Sequence, residues 1–446
     1  MDNRKVIQNG EYLIVQKVDG EQSRVMRFTP KQKILIEKLK FNADSAFDKP
    51  YGLFEVVGGE CIPMTAQKLV EELEEQETAI SLMSKKEDVT TGDSVDSSSE
   101  EQQPDKANER VVIAPSALKL EPEQKRQKLV QDEVLEMKKQ GTTATELVAK
   151  LVEGSASFNT RTTYSQSKYI KRKTKKHSDR VLILKPTIRL LAKSYYLKDP
   201  DRIAMLRNDQ LGLILQMAGV HHGKNVVVFE QNLGLITSAV IERLGGKGAC
   251  IHIHRGAIAQ SIPCVHSMNY DQQTLSTFLP VRISCILAGK HLPYDKNRKN
   301  GDNEEDMEVE PVVELKELAA EEEEALARRN DRLDREKRAI DMIENGKTHS
   351  LIIGSRTIDP VNVLEQFYPK LAPAATVVIY SPHMNVLVDA YEWLSKNHTI
   401  NLNITNQMCR VLQVLPDRTH PLMSQHIAGG HVLSAIKVIP PTAESS

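Results

Sequence analysis

The chain has 446 residues, enough for two or three domains and a large core. Its 59 Lys and Arg balance 60 Asp and Glu, so the whole-chain basic excess common in nucleic-acid binders is excluded, although charge segregates strongly along the chain. Five scattered cysteines without a CxxC pair fit neither a disulfide framework nor a zinc site. No run approaches the ~20 apolar residues of a membrane span, and a soluble, intracellular protein is expected.

In chain order, Glu11–Val18 and Ser23–Phe28 flank Asp19-Gly20, a hairpin signal. Lys33–Leu39 is ambiguous between strand and helix, and Phe54–Val57 with Gly58-Gly59 closes what reads as a small β-barrel-like domain over 1–67. Residues 68–120 form an acidic, Ser-rich linker with few apolar positions. Residues 121–178 hold a helical pair followed by a basic segment. The first helix carries Leu129, Val130, Val134, Leu135 and Met137. The second starts at Thr142 or Thr143 with Glu146 as capping-box partner, and runs to Gly154. From 179 to 440 strand and helix patterns alternate: Arg180–Leu184, Asn225–Phe229, Ala249–Ile253, Ser350–Ile353 and Thr376–Tyr380 read as strands of a parallel α/β sheet. A charged insertion spans 295–345. Its 302–324 stretch has twelve acids against Lys316 alone, and 328–338 has six Lys or Arg, so partial disorder and a solvent-exposed helix are expected.

The strand–turn–helix at 226–244 has the layout of a nucleotide- or S-adenosylmethionine-binding unit. Such a site needs glycines in the turn, where a Cβ blocks the ligand, and an acid after the next strand for the ribose. Here the turn reads Glu230-Gln-Asn232-Leu-Gly234-Leu-Ile236, and the next strand ends His252-Ile-His254-Arg255. Asn232, Gly234 and Ile236 therefore mark a degenerate loop, and no cofactor-binding residue is expected. Cys264 near His266, the His221-His222 pair and His252/His254 lack partners at catalytic or ligand spacing, so no catalytic residue and no metal site is expected either.

The basic segment places Lys168, Lys171, Arg172, Lys173, Lys175 and Lys176 within nine positions, with Tyr164 and Tyr169 interleaved. Basic groups neutralise phosphates and tyrosine stacks on bases, which points to RNA; a localisation signal is the other reading, and both can hold.

Three stretches carry a resemblance: Thr163–Lys173; Leu184-Lys-Pro-Thr-Ile-Arg189 with Tyr195-Tyr196; and Gln413–Pro421 followed by Gly429-Gly430-His431. The chain resembles the non-catalytic subunits of the tRNA (adenine-N1)-methyltransferases that act at position 58. The resemblance implies a degenerate Rossmann-like methyltransferase domain, no cofactor in this subunit, and S-adenosylmethionine bound by a catalytic partner. It also implies a heterotetramer of two of each, a tRNA-binding surface and a nuclear location. Catalytic relatives keep Glu-x-Gly-x-Gly-x-Gly, of which Glu230 and Gly234 alone remain. They also keep an Asp before Leu-Pro at the fourth strand end, where this chain has Gly354-Ser355-Arg356. Arg189 and Arg418 join the expected tRNA contacts, Arg418 in an ordered loop with either an RNA-facing or a structural role. An RNA-binding scaffold in translation initiation, without methylation, is the alternative.

Overall fold

The computed structural model describes residues 6–64, 129–292 and 315–439 apart from short gaps, among them 257–261 and 416–417. The expected linker 68–120 and the acidic part of the insertion up to 314 lie outside the described residues. No helix among the described residues is long and apolar enough to cross a membrane.

The chain divides into two compact units. The larger comprises the described residues of Met1–Val15, Gln22–Thr29 and Leu184–Ser446. The smaller comprises Gln16–Glu21 and Pro30–Ile183. The expected hairpin is present as β1 (Tyr12–Lys17) and β2 (Ser23–Arg27). Most of it belongs to the larger unit, where the Ser194 hydroxyl donates to Ser23 O and the Asn269 amide exchanges two bonds with the Tyr12 backbone.

In the smaller unit the ambiguous Lys33–Leu39 stretch resolves into strands β3 (Lys33–Ile36) and β4 (Leu39–Asn42), joined through Glu37 at φ +50°. β5 (Gly52–Val57) and β6 (Glu60–Pro63) turn at Gly58 and Gly59, whose φ of +62° and +89° suit glycine. β7 (Arg180–Leu184) pairs antiparallel with β5, which corrects its expected place at the start of the parallel domain. Its alternating burial is that of a strand covered on one face, not of a doubly buried parallel strand. β3 and β4 form a two-stranded antiparallel sheet, and the Asn42 amide at the end of β4 donates to Gly59 O in the β5–β6 turn at 2.9 Å. Helices α1 (Gln131–Lys139), α2 (Ala144–Glu153) and α3 (Thr163–His177) follow. α2 packs on α3 through Val148, Val152 and Tyr169, with Phe158 between them.

The larger unit opens with α4 (Ile188–Lys198), capped by the Thr187 hydroxyl, and α5 (Asn208–Met217). Its sheet comprises β8 (Asn225–Glu230), β9 (Ala249–His254), β10 (Phe278–Arg282), β11 (Ser350–Gly354), β12 (Thr376–Ser381), β13 (Thr399–Asn406) and β16 (His431–Lys437). The order is β10-β9-β8-β11-β12-β16-β13. The first five run parallel, and β16 is antiparallel to both its neighbours. The parallel strands read as continuous apolar runs because both faces are covered. One face meets α4, α5 and α6 (Leu235–Leu244); the other meets α7 (Leu315–Glu344), α8 (Pro360–Phe367) and α9 (Met384–Lys396). Between β13 and β16 a small arm projects, made of β14 (Leu412–Leu415) and β15 (Arg418–Pro421).

The end of α7 corrects the expectation that the helix of the insertion is solvent-exposed. Its last three turns bury Glu336, Ala339, Ile340 and Ile343 against the sheet, as the crossover from β10 to β11 requires. Glu336 accepts from Arg282 Nε at 2.9 Å and from His291 Nδ1 at 2.6 Å. Burial alone would raise its pKa, but these bonds and the guanidinium charge outweigh it and hold the carboxyl at about 2. Replacing Glu336 with Ala strands a buried guanidinium and should cost about 3–5 kcal/mol in denaturant unfolding, whereas a paired Arg282→Met, Glu336→Leu change should be close to neutral.

Candidate functional site

The sheet order reverses between β8 and β11, and ligands of open α/β sheets bind at such a point, beyond the strand C-termini. A cleft of about 490 Å³ lies there, lined by the ends of β8 and β9 and the loops after β8, β9 and β11. The turn from β8 into α6 forms one wall. Leu233 and Gly234 take positive φ, +59° and +77°, and a Cβ on Gly234 would sit 3.0 Å from Ile262 Cβ, which explains the one glycine retained.

The two substituted positions point inward. Asn232 is fully buried; its Nδ2 donates to Ile203 O at 2.7 Å, and its Oδ1 has no hydrogen-bond partner. Ile236 is fully buried beside it. Both press on Gly354 at the end of β11, where a Cβ would lie 2.4 Å from Asn232 Oδ1 and 2.7 Å from Ile236 Cδ1. Gln231 then ties the two loops, its Oε1 accepting from the Arg356 and Thr357 amides at 2.9 Å each.

Glu230 also turns inward. It accepts from the Ile236 and Thr237 amides at 3.2 and 2.6 Å and from the Thr237 hydroxyl, so it caps α6 rather than facing a ligand. Burial raises its pKa. Thr237 Oγ1 lies 2.8 Å from His252 Nδ1, and burial pushes the His252 pKa down to about 3, which keeps the imidazole neutral. At the end of β9, where a ribose-binding acid would stand, His254 instead bonds Gly256 O through Nδ1. Asp359, the first acid after β11, accepts from the Val361 amide as the cap of α8.

One group that sequence spacing missed is Cys285, His291 and Glu336, whose ligand atoms lie within 4.8 Å of one another. The Arg282 guanidinium bonds the same carboxylate, so a positive charge already occupies the place a cation would take. The signal is absent from the sequence because the three residues come from three separate elements.

The basic segment is α3. Lys168, Arg172 and Lys176 are exposed at i, i+4 and i+8, one stripe of the helix. Lys173 is half-buried, and Tyr164, Lys171 and Lys175 have side chains outside the described residues. Tyr169 departs from its expected stacking role. It is 7% exposed, packs edge-on against Phe158 at 5.6 Å, and lies under Arg172 and Lys173. Spacing explains this: the stripe at 168, 172 and 176 faces out, and position 169 faces α2. Arg189 is exposed in the first turn of α4. Arg418 opens β15 rather than sitting in a loop; its side chain lies outside the described residues.

The Gly429-Gly430 motif has a packing role. Cβ atoms there would meet Arg207 Nη1 at 2.5 Å and Ser381 O at 2.4 Å. Arg207 is buried. It pairs with Asp209 and donates to Gln407 O at 2.7 Å and Ile427 O at 2.8 Å, the two roots of the β14–β15 arm.

A seven-stranded doubly wound sheet with a final antiparallel pair, and a turn after β8 filled by its own side chains, defines a Rossmann-like methyltransferase fold. Residues 6–325 match the Gcd10p family, and the chain belongs to that family. A relative from Dictyostelium discoideum, named tRNA (adenine(58)-N(1))-methyltransferase non-catalytic subunit, is 32% identical over 72% of this chain. This chain spans 63% of that relative's length. Relatives of the same name from Mus musculus and Schizosaccharomyces pombe are 27% and 26% identical over 71% and 70% of this chain, which covers 72% and 74% of theirs. Among solved structures, the chain is similar to the tRNA (m1A58) methyltransferase TrmI of Aquifex aeolicus at 11% identity, with 98% of this chain and 100% of that one covered and a TM-score of 0.44.

The His252 pKa lies below its ordinary 6.5, so the unfolded chain binds the extra proton between those values. The stability contributed by neutral His252 should be complete above pH 6.5 and fall progressively toward pH 3. In urea melts across that range, His252→Asn should flatten this part of the stability–pH curve.

Proposed function

We propose that this chain is the non-catalytic, tRNA-binding subunit of a methyltransferase that forms 1-methyladenosine at position 58 of tRNA. It works with a catalytic partner that alone binds S-adenosylmethionine, as two of each subunit in a heterotetramer located in the nucleus. The observation that carries the non-catalytic reading is the turn after β8. Asn232 and Ile236 occupy the space beside Gly354, and Glu230 spends its oxygens on α6. These residues do not fit the cofactor: the ribose acid is missing, and exposed Arg202, Arg255 and Arg356 line the cleft against a sulfonium cation. The names of the relatives support the tRNA reading. The arm supports a protein partner, because Met408, Val414 and Met423 are 68%, 76% and 92% exposed, an apolar surface unusual for a lone subunit.

Calorimetric titration of the isolated chain with S-adenosylmethionine should give no binding in the micromolar range, while the complex with its partner binds; micromolar affinity of the isolated chain overturns the reading. The stripe on α3 gives a second check. Lys168→Ala, Arg172→Ala and Lys176→Ala together should lower the log–log salt slope of tRNA binding by about 2–3, at roughly 0.7–0.9 per phosphate contact. Filter binding of the complex across salt measures it, and Tyr169 must be kept, since its loss would unpack α3 from α2.

A further inference from the structure

The cleft beyond the strand C-termini is lined by three arginines. Arg202 precedes α5, Arg255 follows β9 and Arg356 follows β11; all three line the cleft and are exposed. Among the described residues none of their guanidinium groups is in an ion pair or hydrogen bond. Glu230 is the one carboxylate among the lining residues, and its oxygens are committed to α6. The backbone amides of Leu233 and Gly234, in the turn that borders the cleft, likewise make no hydrogen bond among the described residues. Leu233, Ile253, Ile262 and Ile358 supply an apolar lining. A cleft with low-dielectric walls and one sign of charge concentrates ligands of the opposite sign, and planar guanidinium forks suit phosphate. About 490 Å³ falls in the range of small-molecule sites.

We propose that this cleft binds a nucleoside phosphate, with the base against the apolar lining and the phosphate held by Arg255 and Arg356 at the rim and by the backbone amides of Leu233 and Gly234. The chemistry is the same whether the group is a free nucleotide or one nucleotide of a bound RNA strand. The inference rests on the cleft alone and holds whether or not tRNA methylation is the role of the assembly.

The test uses the full chain and fluorescence anisotropy with two probes, a fluorescent ATP analogue and fluorescently labelled tRNA. Wild type is compared with Arg255→Glu/Arg356→Glu and with a control carrying the same reversals at Lys337 and Lys396, neither of which lines the cleft. If the source is free nucleotide, the analogue binds wild type and control alike, loses tenfold or more in the cleft variant, and is displaced by ATP at least tenfold better than by adenosine. If the source is RNA, the analogue binds weakly, and tRNA affinity falls tenfold or more in the cleft variant but less than threefold in the control. Should the Glu pair fail to melt like wild type, Arg255→Lys/Arg356→Lys replaces it; loss of the guanidinium fork should then weaken the responsive probe threefold or more. The proposal is overturned if neither probe distinguishes a folded cleft variant from the control, or if adenosine or S-adenosylmethionine competes as well as ATP.

Discussion

The approach of the β8–α6 turn to Gly354 is the constraint on which the candidate site depends. A strand that ended in any other residue would push Asn232 and Ile236 out of the space they fill. With them in place, the turn is packed from within. Glu230 folds back onto the first amides of α6, and Gln231 fastens the neighbouring loop through the Arg356 and Thr357 amides. The turn is thus a set of mutually supporting contacts, not a collapsed loop. The cleft stays open because its other walls, the ends of β8 and β9 and the loop after β11, belong to the sheet itself.

A second buried charge organises the far end of the same sheet. Arg207 is removed from water and must satisfy its donors, which it does with Asp209 and with two carbonyls twenty residues apart in sequence, Gln407 and Ile427. The arm between them is therefore held at its base by one guanidinium. Gly429 and Gly430 are glycines because Arg207, Gln210 and the Tyr380 ring leave no room for a Cβ. The glycines of this stretch, which helps carry the family resemblance, are thus a packing requirement.

The near-zero net charge conceals a division of labour. α3 carries basic groups outward at every fourth residue while Tyr169 anchors its other face. α7 carries charge along its length, yet it delivers Glu336 to a buried pair with Arg282. The cleft collects three arginines from three separate segments that a composition count cannot group.

The sequence by itself determined the elements whose signal is local. The β1–β2 hairpin, the Gly58-Gly59 turn, the apolar runs of β8, β9, β11 and β12 and the helices at 131–153 stand where propensity and period put them, because those residues carry the preference themselves. The loss of the loop glycines was equally legible, since a missing glycine needs no partner to be noticed. Tertiary structure alone decided the rest. β7 left the parallel sheet because β5 offered it a pairing edge, and the end of α7 became core because a crossover must cover its sheet. Tyr169 was buried by Phe158 and α2, partners that lie outside the basic segment 161–177. Arg202, Arg255 and Arg356 are separated by 53 and 101 positions, and their convergence follows from strand order, a property of how the sheet is wound and not of any one segment.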